Sequence, residues 1–298
     1  MSTINRRNFL KLAGISSIAA AGFVASPNNL NFKGVSRAYA QSNGMAGQLF
    51  IQPGNTATIH TYVSPEQSAA VTSHIIETAN NLYLVDTQFA EPFANELKTY
   101  IEGLGKPLER IFLSHQHQDH WSGGQLFDAD FVTTDAIAAG VAEEIEAGDG
   151  GFGTPRAPEG GMTAGTEVLD GLTVEFEIVN DAEAPEHLLL KMPELGAIIV
   201  QDLLYTDSHA FPLGNNENWI NILNSFRSLT EEGYRTILAG HGFPAGFGQI
   251  DDQIEYLNLL SETLASASNA EEAQAALIEA YPSYGVVFIT SFISAAFS

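Results

Sequence analysis

Residues 110–120 read Arg110-Ile111-Phe112-Leu113-Ser114-His115-Gln116-His117-Gln118-Asp119-His120, a short apolar run that empties into three histidines and an aspartate. Ile111 to Leu113 has the length and composition of a buried strand. Ser122-Gly123-Gly124 follows the polar run and closes it as a turn. Imidazole nitrogens suit zinc, iron, nickel and copper, and an adjacent carboxylate suits a borderline or hard divalent ion. On a turn that leaves a strand, alternate side chains can project the same way. His115 and His117 can then grip one cation, while Asp119 and His120 face a second position beside it. A lone His-x-His is more often a solvated loop than a metal site. The weight therefore falls on the whole H-x-H-x-D-H run placed directly behind an apolar strand.

A metal site needs further ligands, and the chain supplies them downstream. His187 opens an expected strand after Glu183-Ala184-Pro185-Glu186. Asp202 ends the apolar run Ala197–Gln201, and His241 ends Thr236–Gly240 and precedes Gly242. Five of the eight histidines fall in this set. Each residue alone has an ordinary structural explanation; strand ends that project into one cleft give them a common one.

Outward from these runs the chain mixes strands and helices. Ala70 to Thr78 and Leu82 to Asp86 read as two strands split by the turn pair Asn80-Asn81. Glu91 to Gly103 repeats apolar residues at helical spacing (Phe93, Leu97, Tyr100, Ile101), and Asp135 to Glu146 reads as a helix capped by Thr134 or Asp135. Strands are expected at Phe131–Thr133, Val168–Leu169, Thr173–Val179 and Leu188–Met192, and helices at Asn218–Leu229, Ile250–Ala265 and Ala270–Tyr281. Residues 148–165, rich in Gly and Pro, read as a mobile loop. The apolar run Val286–Phe297 is expected to be buried. This order favours an α+β fold in which helices cover the outer faces of sheets.

Composition narrows the chemistry. The 298 residues include no cysteine, which removes disulfides, thiolate metal sites and cysteine nucleophiles. There are 36 acidic residues against 12 basic ones, too few Lys and Arg for a phosphate-binding surface, so nucleic acid is not an expected partner. Residues 1–40 hold five of those bases (Arg6, Arg7, Lys11, Lys33, Arg37) and no acid. Arg6-Arg7-Asn8-Phe9-Leu10-Lys11, the mild apolar stretch Leu12 to Ala25 and the small-x-small Ala38-Tyr39-Ala40 read as a twin-arginine export signal. The expected organisation is a signal peptide over 1–40, cleaved before Gln41, and one domain over 41–298. The product is expected to be periplasmic or secreted, with the twin-arginine export machinery as a partner and no lasting membrane association.

The ligand pattern resembles the metallo-β-lactamase superfamily over about residues 48 to 245. The resemblance implies a four-layer αβ/βα sandwich with the metal site at one edge, and two divalent ions, zinc in the first instance and iron or manganese as alternatives. It implies that His115, His117 and His187 bind the first ion, that Asp119, His120 and His241 bind the second, and that Asp202 bridges them. Leu84-Val85-Asp86-Thr87 resembles the family's early strand-end motif, with Asp86 orienting the ligand turn from behind. The absence of Cys and the presence of Asp202 make the site more similar to the lactonase, glyoxalase II and general hydrolase branches than to the lactamases. Asp202-Leu203-Leu204-Tyr205 resembles the Asp-x-x-Tyr of acyl-homoserine lactonases, which would set Tyr205 beside the substrate carbonyl.

The implied chemistry is hydrolysis of an ester, lactone, thioester or amide of a small molecule. Two cations sharing a water lower its pKa towards ~7 and yield a bridged hydroxide, and Asp119 orients that nucleophile and passes a proton. Two other readings stay open at this point. One is a mononuclear iron-dependent oxidoreductase similar to the persulfide dioxygenases. The other is an exported metal-binding protein without catalysis. His209 and Trp219 remain candidates for the pocket wall.

Overall fold

The computed structural model describes residues 45–297. The expected export signal and its cleavage point lie outside the described residues. Two sheets carry the fold. The first runs β1 (Gln48–Pro53), β2 (Thr58–Val63), β3 (Thr72–Glu77), β4 (Leu82–Val85), β5 (Leu108–Phe112), β6 (Asp130–Val132), in that spatial order. Its first four strands pair antiparallel and β4, β5 and β6 pair parallel. The second sheet has the order β11-β10-β9-β8-β7. It is formed by β7 (Gly165–Leu169), β8 (Leu172–Asn180), β9 (Glu186–Met192), β10 (Ala197–Tyr205) and β11 (Thr236–His241), antiparallel except for β10 with β11.

The helices are α1 (Glu91–Gly103), the single turn α2 (Gln118–Trp121), α3 (Asp135–Glu146), α4 (Asn216–Ser225), α5 (Gln249–Ser266) and α6 (Ala270–Ala280). Local chemistry explains their limits. Pro92 occupies the first turn of α1, where its missing N–H costs nothing, and Leu97 and Ile101 bury one face. The N-cap of α3 is Thr134, whose Oγ1 accepts a 3.2 Å bond from Ile137 N.

Two apolar clusters hold these layers together. One lies between the sheets and takes in Leu97 and Ile101 of α1 and Ile137 and Val141 of α3. The other packs β10 and β11 against α4, α5, α6 and the C-terminal segment. All four residues of β4 and all nine of β10 are buried, so these strands are covered on both faces inside the sandwich, β10 carrying the polar pair Gln201-Asp202 within it. This is the α+β sandwich of two sheets and covering helices that the sequence implied.

Three sequence expectations change. β1 and β2 were not anticipated, although Gly54-Asn55 between two strand-forming runs is a turn signal. β10 does not stop at Gln201 but continues to Tyr205 through two register shifts against β11, so Asp202 lies within a strand rather than at its end. The run Val286–Phe297 is only partly buried: Ile289, Thr290 and Ile293 face inward while Val287, Phe288 and Phe297 are exposed. It forms a 3-10 segment over Val287–Phe297, whose three-residue turn alternates inward and outward faces.

Candidate functional site

The site forms where the two sheets meet. Thr72 Oγ1 of β3 donates to Ala239 O of β11 at 2.6 Å, and Gly242 N donates to Ala70 O at 2.9 Å. His241 closes β11 at this seam. Gly242 turns the chain with φ +89°, and a Cβ there would overlap Thr206 O, so only glycine fits behind His241. Gly240 is forced for a related reason: a Cβ there would overlap Asp202 Oδ1.

The 115–120 turn leaves β5 into this seam and is fixed by Asp86 at the end of β4. Asp86 Oδ1 accepts from Ser114 N at 2.9 Å. Its Oδ2 accepts from Ser114 Oγ at 2.7 Å, from His120 Nδ1 at 2.8 Å and from Gln201 Nε2. His115 Nδ1 lies 2.9 Å from Ser114 Oγ, and His241 Nδ1 donates to Ala69 O at 2.7 Å. With the Nδ1 atoms of His115, His120 and His241 engaged from behind, each Nε2 is left for the centre of the site.

Asp202 is that centre. Its carboxylate lies 3.3 Å from His115 Nε2, 4.0 Å from His117 Nδ1, 3.1 Å from His120 Nε2 and 3.2 Å from His241 Nε2. Asp119 Oδ2 stands 3.7 Å from His120 Nε2 and 3.5 Å from His241 Nε2. Asp202 thus stands between two donor groups: His115 and His117 on one side, and Asp119, His120 and His241 on the other.

The first group holds a residue that the sequence reading did not single out. The loop between β8 and β9 folds tightly, with Asp181 N bonded to Pro185 O at 2.9 Å, and turns Glu183 inward. Glu183 Oε1 is 3.1 Å from His117 Nδ1, and Oε2 is 3.4 Å from His187 Nε2 and 3.9 Å from His115 Nε2. The donors that lie mutually within 4.8 Å are those of His115, His117, Glu183 and Asp202. His187 stands behind Glu183, its ring stacked on that of His115 with centroids 5.0 Å apart. Glu183 is one of 36 acids in the chain, so composition hides it. Its one sequence signal is the four-residue step to His187 across the β8–β9 loop.

The electrostatics match a cation site. Burial alone would raise the Asp202 and Glu183 carboxyls, but the surrounding imidazoles outweigh it. Asp202 is held well below the usual carboxylate range, chiefly by His120, His241 and His115, and Glu183 is held at about 2 by His117 and His187. Burial alone would lower His120 and His241, but Asp202 and Asp119 outweigh it and raise both. His115 is lowered to about 4 by burial. His115 Nε2, His120 Nε2, Asp202 Oδ1 and both Glu183 oxygens are buried without a well-aligned hydrogen bond. Buried polar atoms are normally satisfied, and divalent cations would satisfy this set of nitrogen and oxygen donors at one stroke. The residues therefore fit divalent metal binding.

The remaining sequence candidates separate. Tyr205 lines the pocket over Asp202 and donates its hydroxyl to Asp202 Oδ2 at 3.0 Å. Burial and the nearby carboxylates raise it, so it stays a donor at neutral pH. Its ring stacks on His241, with centroids 4.8 Å apart and planes 2° from parallel. Trp219 is fully buried, donates to Leu203 O at 2.8 Å and packs beside Tyr205 as scaffold. His209 turns away from the pocket to the hydroxyl of Tyr256, 3.1 Å from its Nδ1. The 148–165 loop is tied to the ligand turn: Gln118 Nε2 donates to Asp149 O, and Gln125 Nε2 to Phe152 O at 2.6 Å.

Comparison with known proteins follows the same lines. Residues 69–241 match the profile of the metallo-beta-lactamase superfamily. A metallo-beta-lactamase from Pontibacter korlensis superposes with a TM-score of 0.56 at 19% identity, covering 71% of this chain and 99% of that one. The metallo-beta-lactamase DIM-1 superposes with a TM-score of 0.53 at 16% identity, covering 70% and 97%. The same enzyme exposed to ceftazidime gives 0.54 at 15% identity, covering 72% and 99%. These likenesses concern the fold. No curated protein matches the sequence.

Proposed function

From the premise that the chain belongs to the metallo-beta-lactamase superfamily, whose members are typically metal-dependent hydrolases, we propose that it is itself one, acting through two divalent cations on either side of Asp202. The observation that carries this is the position of Asp202, within 4.0 Å of imidazole nitrogens from both donor groups. His115, His117 and Glu183 hold the first ion, with His187 behind Glu183, and Asp119, His120 and His241 hold the second. Two imidazoles with two carboxylates make a harder donor set than three imidazoles, which suits manganese or iron(II) as well as zinc. Bound there, the cations lower the pKa of a water and polarise the carbonyl under attack.

The side chains do the rest. Asp119 lines the pocket, where it would orient the attacking water, take its proton and return it to the departing alkoxide, thiolate or amine as the bond to the acyl carbon breaks. The Tyr205 hydroxyl, a donor at the pocket floor, faces the carbonyl oxygen as it gains charge. The substrate class is an ester, lactone, thioester or amide of a small molecule. The convergence of a second donor group, Asp119 with His120 and His241, supports two ions over the single iron of an oxidoreductase. We place the enzyme outside the cytoplasm on the strength of Arg6-Arg7 and the segment that follows. Replacing both arginines by lysine should then leave the protein in the cytoplasmic fraction.

The full chain purified with metal should contain two ions per molecule, and a chelator should abolish hydrolysis of simple esters and lactones, with activity restored by Zn2+ or Mn2+. Turnover that survives complete metal removal would refute the proposal.

A further inference from the structure

The pocket above Asp202 has a polar floor and an apolar wall of different origin. The floor is His117, Asp119, Asp202 and His241. The opposite wall is Phe211, Ile289 and Phe292. Two of these three come from Val287–Phe297, beyond the residues 69–241 that match the superfamily. Ile289 and Phe292 are therefore supplied from outside the matched region, and Phe211 from within it.

Its construction is specific. In a 3-10 turn, residues three apart project in the same direction, and Ile289 and Phe292 are three apart. Both line the pocket, while Val287 and Phe288, just before them in the chain, are exposed. The segment is fastened at its start. Val286 N donates to Glu66 Oε1 at 2.9 Å, His209 N donates to Gly285 O at 3.1 Å, and Gln274 Nε2 of α6 donates to Thr290 Oγ1 at 2.9 Å. Ile293 is buried in the cluster beneath. Phe211 joins wall to floor, its ring 5.4 Å from that of Phe292 and 5.3 Å from that of His117.

Charge points the same way as shape. No Lys or Arg is among the described residues that line the pocket, while Asp119 and Asp202 are. A substrate carboxylate or phosphate lying against this wall, away from the cations the floor would hold, would find no Lys or Arg to pair with, and its desolvation would go uncompensated. An uncharged hydrocarbon group would instead exchange water for three apolar side chains.

We infer that the wall of Phe211, Ile289 and Phe292 commits the site to uncharged substrates that carry an aliphatic or aromatic group next to the hydrolysed bond. This rests on the hydrolase reading above and names the substrate class for the same site. The metal centre supplies the reaction, and the C-terminal segment supplies the selection.

The test is a homologous series of p-nitrophenyl esters from acetate to octanoate, assayed with the full-length, metal-loaded protein. For the wild type kcat/KM should rise about two- to fourfold per added methylene while the chain stays on the wall. The double variant Ile289→Ala/Phe292→Ala should flatten that rise to less than about twofold per methylene. Phe288→Ala changes the same segment on its exposed side and should leave the rise intact. A flat wild-type series overturns the inference, as does a rise that persists in the double variant or one that Phe288→Ala removes equally.

A second readout is independent of turnover: calorimetric binding of n-alkyl hydroxamates of two to eight carbons to the same proteins. If no ester is hydrolysed but hydroxamate affinity climbs with chain length in the wild type alone, the hydrolase reading falls and the apolar subsite stands. If esters are hydrolysed and neither series depends on chain length, the subsite falls and the hydrolase stands. Hydroxamates that fail to bind, alongside inert esters, overturn both.

Discussion

Asp86→Asn tests whether the second ion depends on a proton held in place from behind. The substitution keeps the shape of the side chain, and its carbonyl oxygen can still accept from Ser114 N in place of Oδ1. The other terminal atom becomes an amide donor where Oδ2 now accepts from Ser114 Oγ at 2.7 Å, His120 Nδ1 at 2.8 Å and Gln201 Nε2. The serine hydroxyl can rotate and accept. His120 can relieve the donor–donor clash only by moving its proton to Nε2, the atom 3.1 Å from Asp202 that a cation needs bare. Second-ion affinity should then fall about 10- to 100-fold, the usual cost of losing such a partner. Gln201 keeps an unmatched donor, and charge-assisted bonds to a buried carboxylate contribute about 1.5–3 kcal/mol each, so the fold should lose roughly 3 kcal/mol. For a chain of this size that is a Tm lower by about 6–12 °C. Isothermal titration of apo-protein with Zn2+ and a thermal melt read both effects. A variant that binds the second ion as tightly as wild type would refute the assigned role of Asp86, whatever its Tm.

Three further outcomes follow from the same geometry. Glu183→Gln should reduce content to one ion per chain by elemental analysis, while His187→Ala keeps two with first-ion affinity weakened about 10-fold; the reverse pattern would return the ligand role to His187. In the metal-free protein Asp202 and Asp119 raise His120 and His241 above the ordinary imidazole range, so both hold a proton more readily than a free imidazole and must shed it to ligate. Calorimetry in buffers of different ionisation enthalpy at pH 6.5 should report release of about one to two protons on metal loading, with affinity rising as pH rises; zero release would contradict the assigned protonation. Tyr205→Phe should lower kcat about 10-fold or more with metal content unchanged if its hydroxyl steadies the carbonyl oxygen, and an unchanged kcat would reduce it to a packing residue.

The 115–120 cluster was legible because its residues obey local rules. The 115–120 run follows a strand and precedes paired glycines, and His241 closes a strand against Gly242, so type and spacing together outweigh either alone. Asp86 was legible only through the resemblance of Leu84-Val85-Asp86-Thr87 to a family motif. Glu183 was not, because it reaches the site through a loop whose inward turn depends on the bond between Asp181 and Pro185, a matter of backbone path that composition does not carry. His209 stayed open because a histidine near a candidate tyrosine suits a pocket or a packed core equally; its partner, Tyr256, is 47 residues away, a distance local sequence does not span. The end of β10 was misplaced because Gln201-Asp202 looks like a polar stop; in the folded chain both side chains are buried and paired across sheets.

That misplacement exposes how the site is held. Gln201, Asp86 and Gln88 all adopt positive φ (46°, 60° and 76°), a region that non-glycine residues avoid at a cost of about 1–3 kcal/mol each. Gln201 and Asp86 are joined to each other, and Gln88 is held separately, by contacts that would oppose relaxation. Gln201 Nε2 donates to Asp86, and its Oε1 lies 2.8 Å from His74 Nε2. Gln88 Nε2 donates to Val71 O and Ser73 Oγ, each at 3.0 Å. At Gln201 the strand shifts register against β11, and the next residue is Asp202, seated against Gly240. A regular β10 would carry Asp202 along the β11 ladder without that shift, and Gln201 would lose its reach to Asp86. The strained backbone and the metal centre are therefore one construction. The hydrogen-bonded chain His74–Gln201–Asp86–His120 fixes the irregular strand from one sheet and the ligand turn from the other, and so sets the distance between the two donor groups that share Asp202.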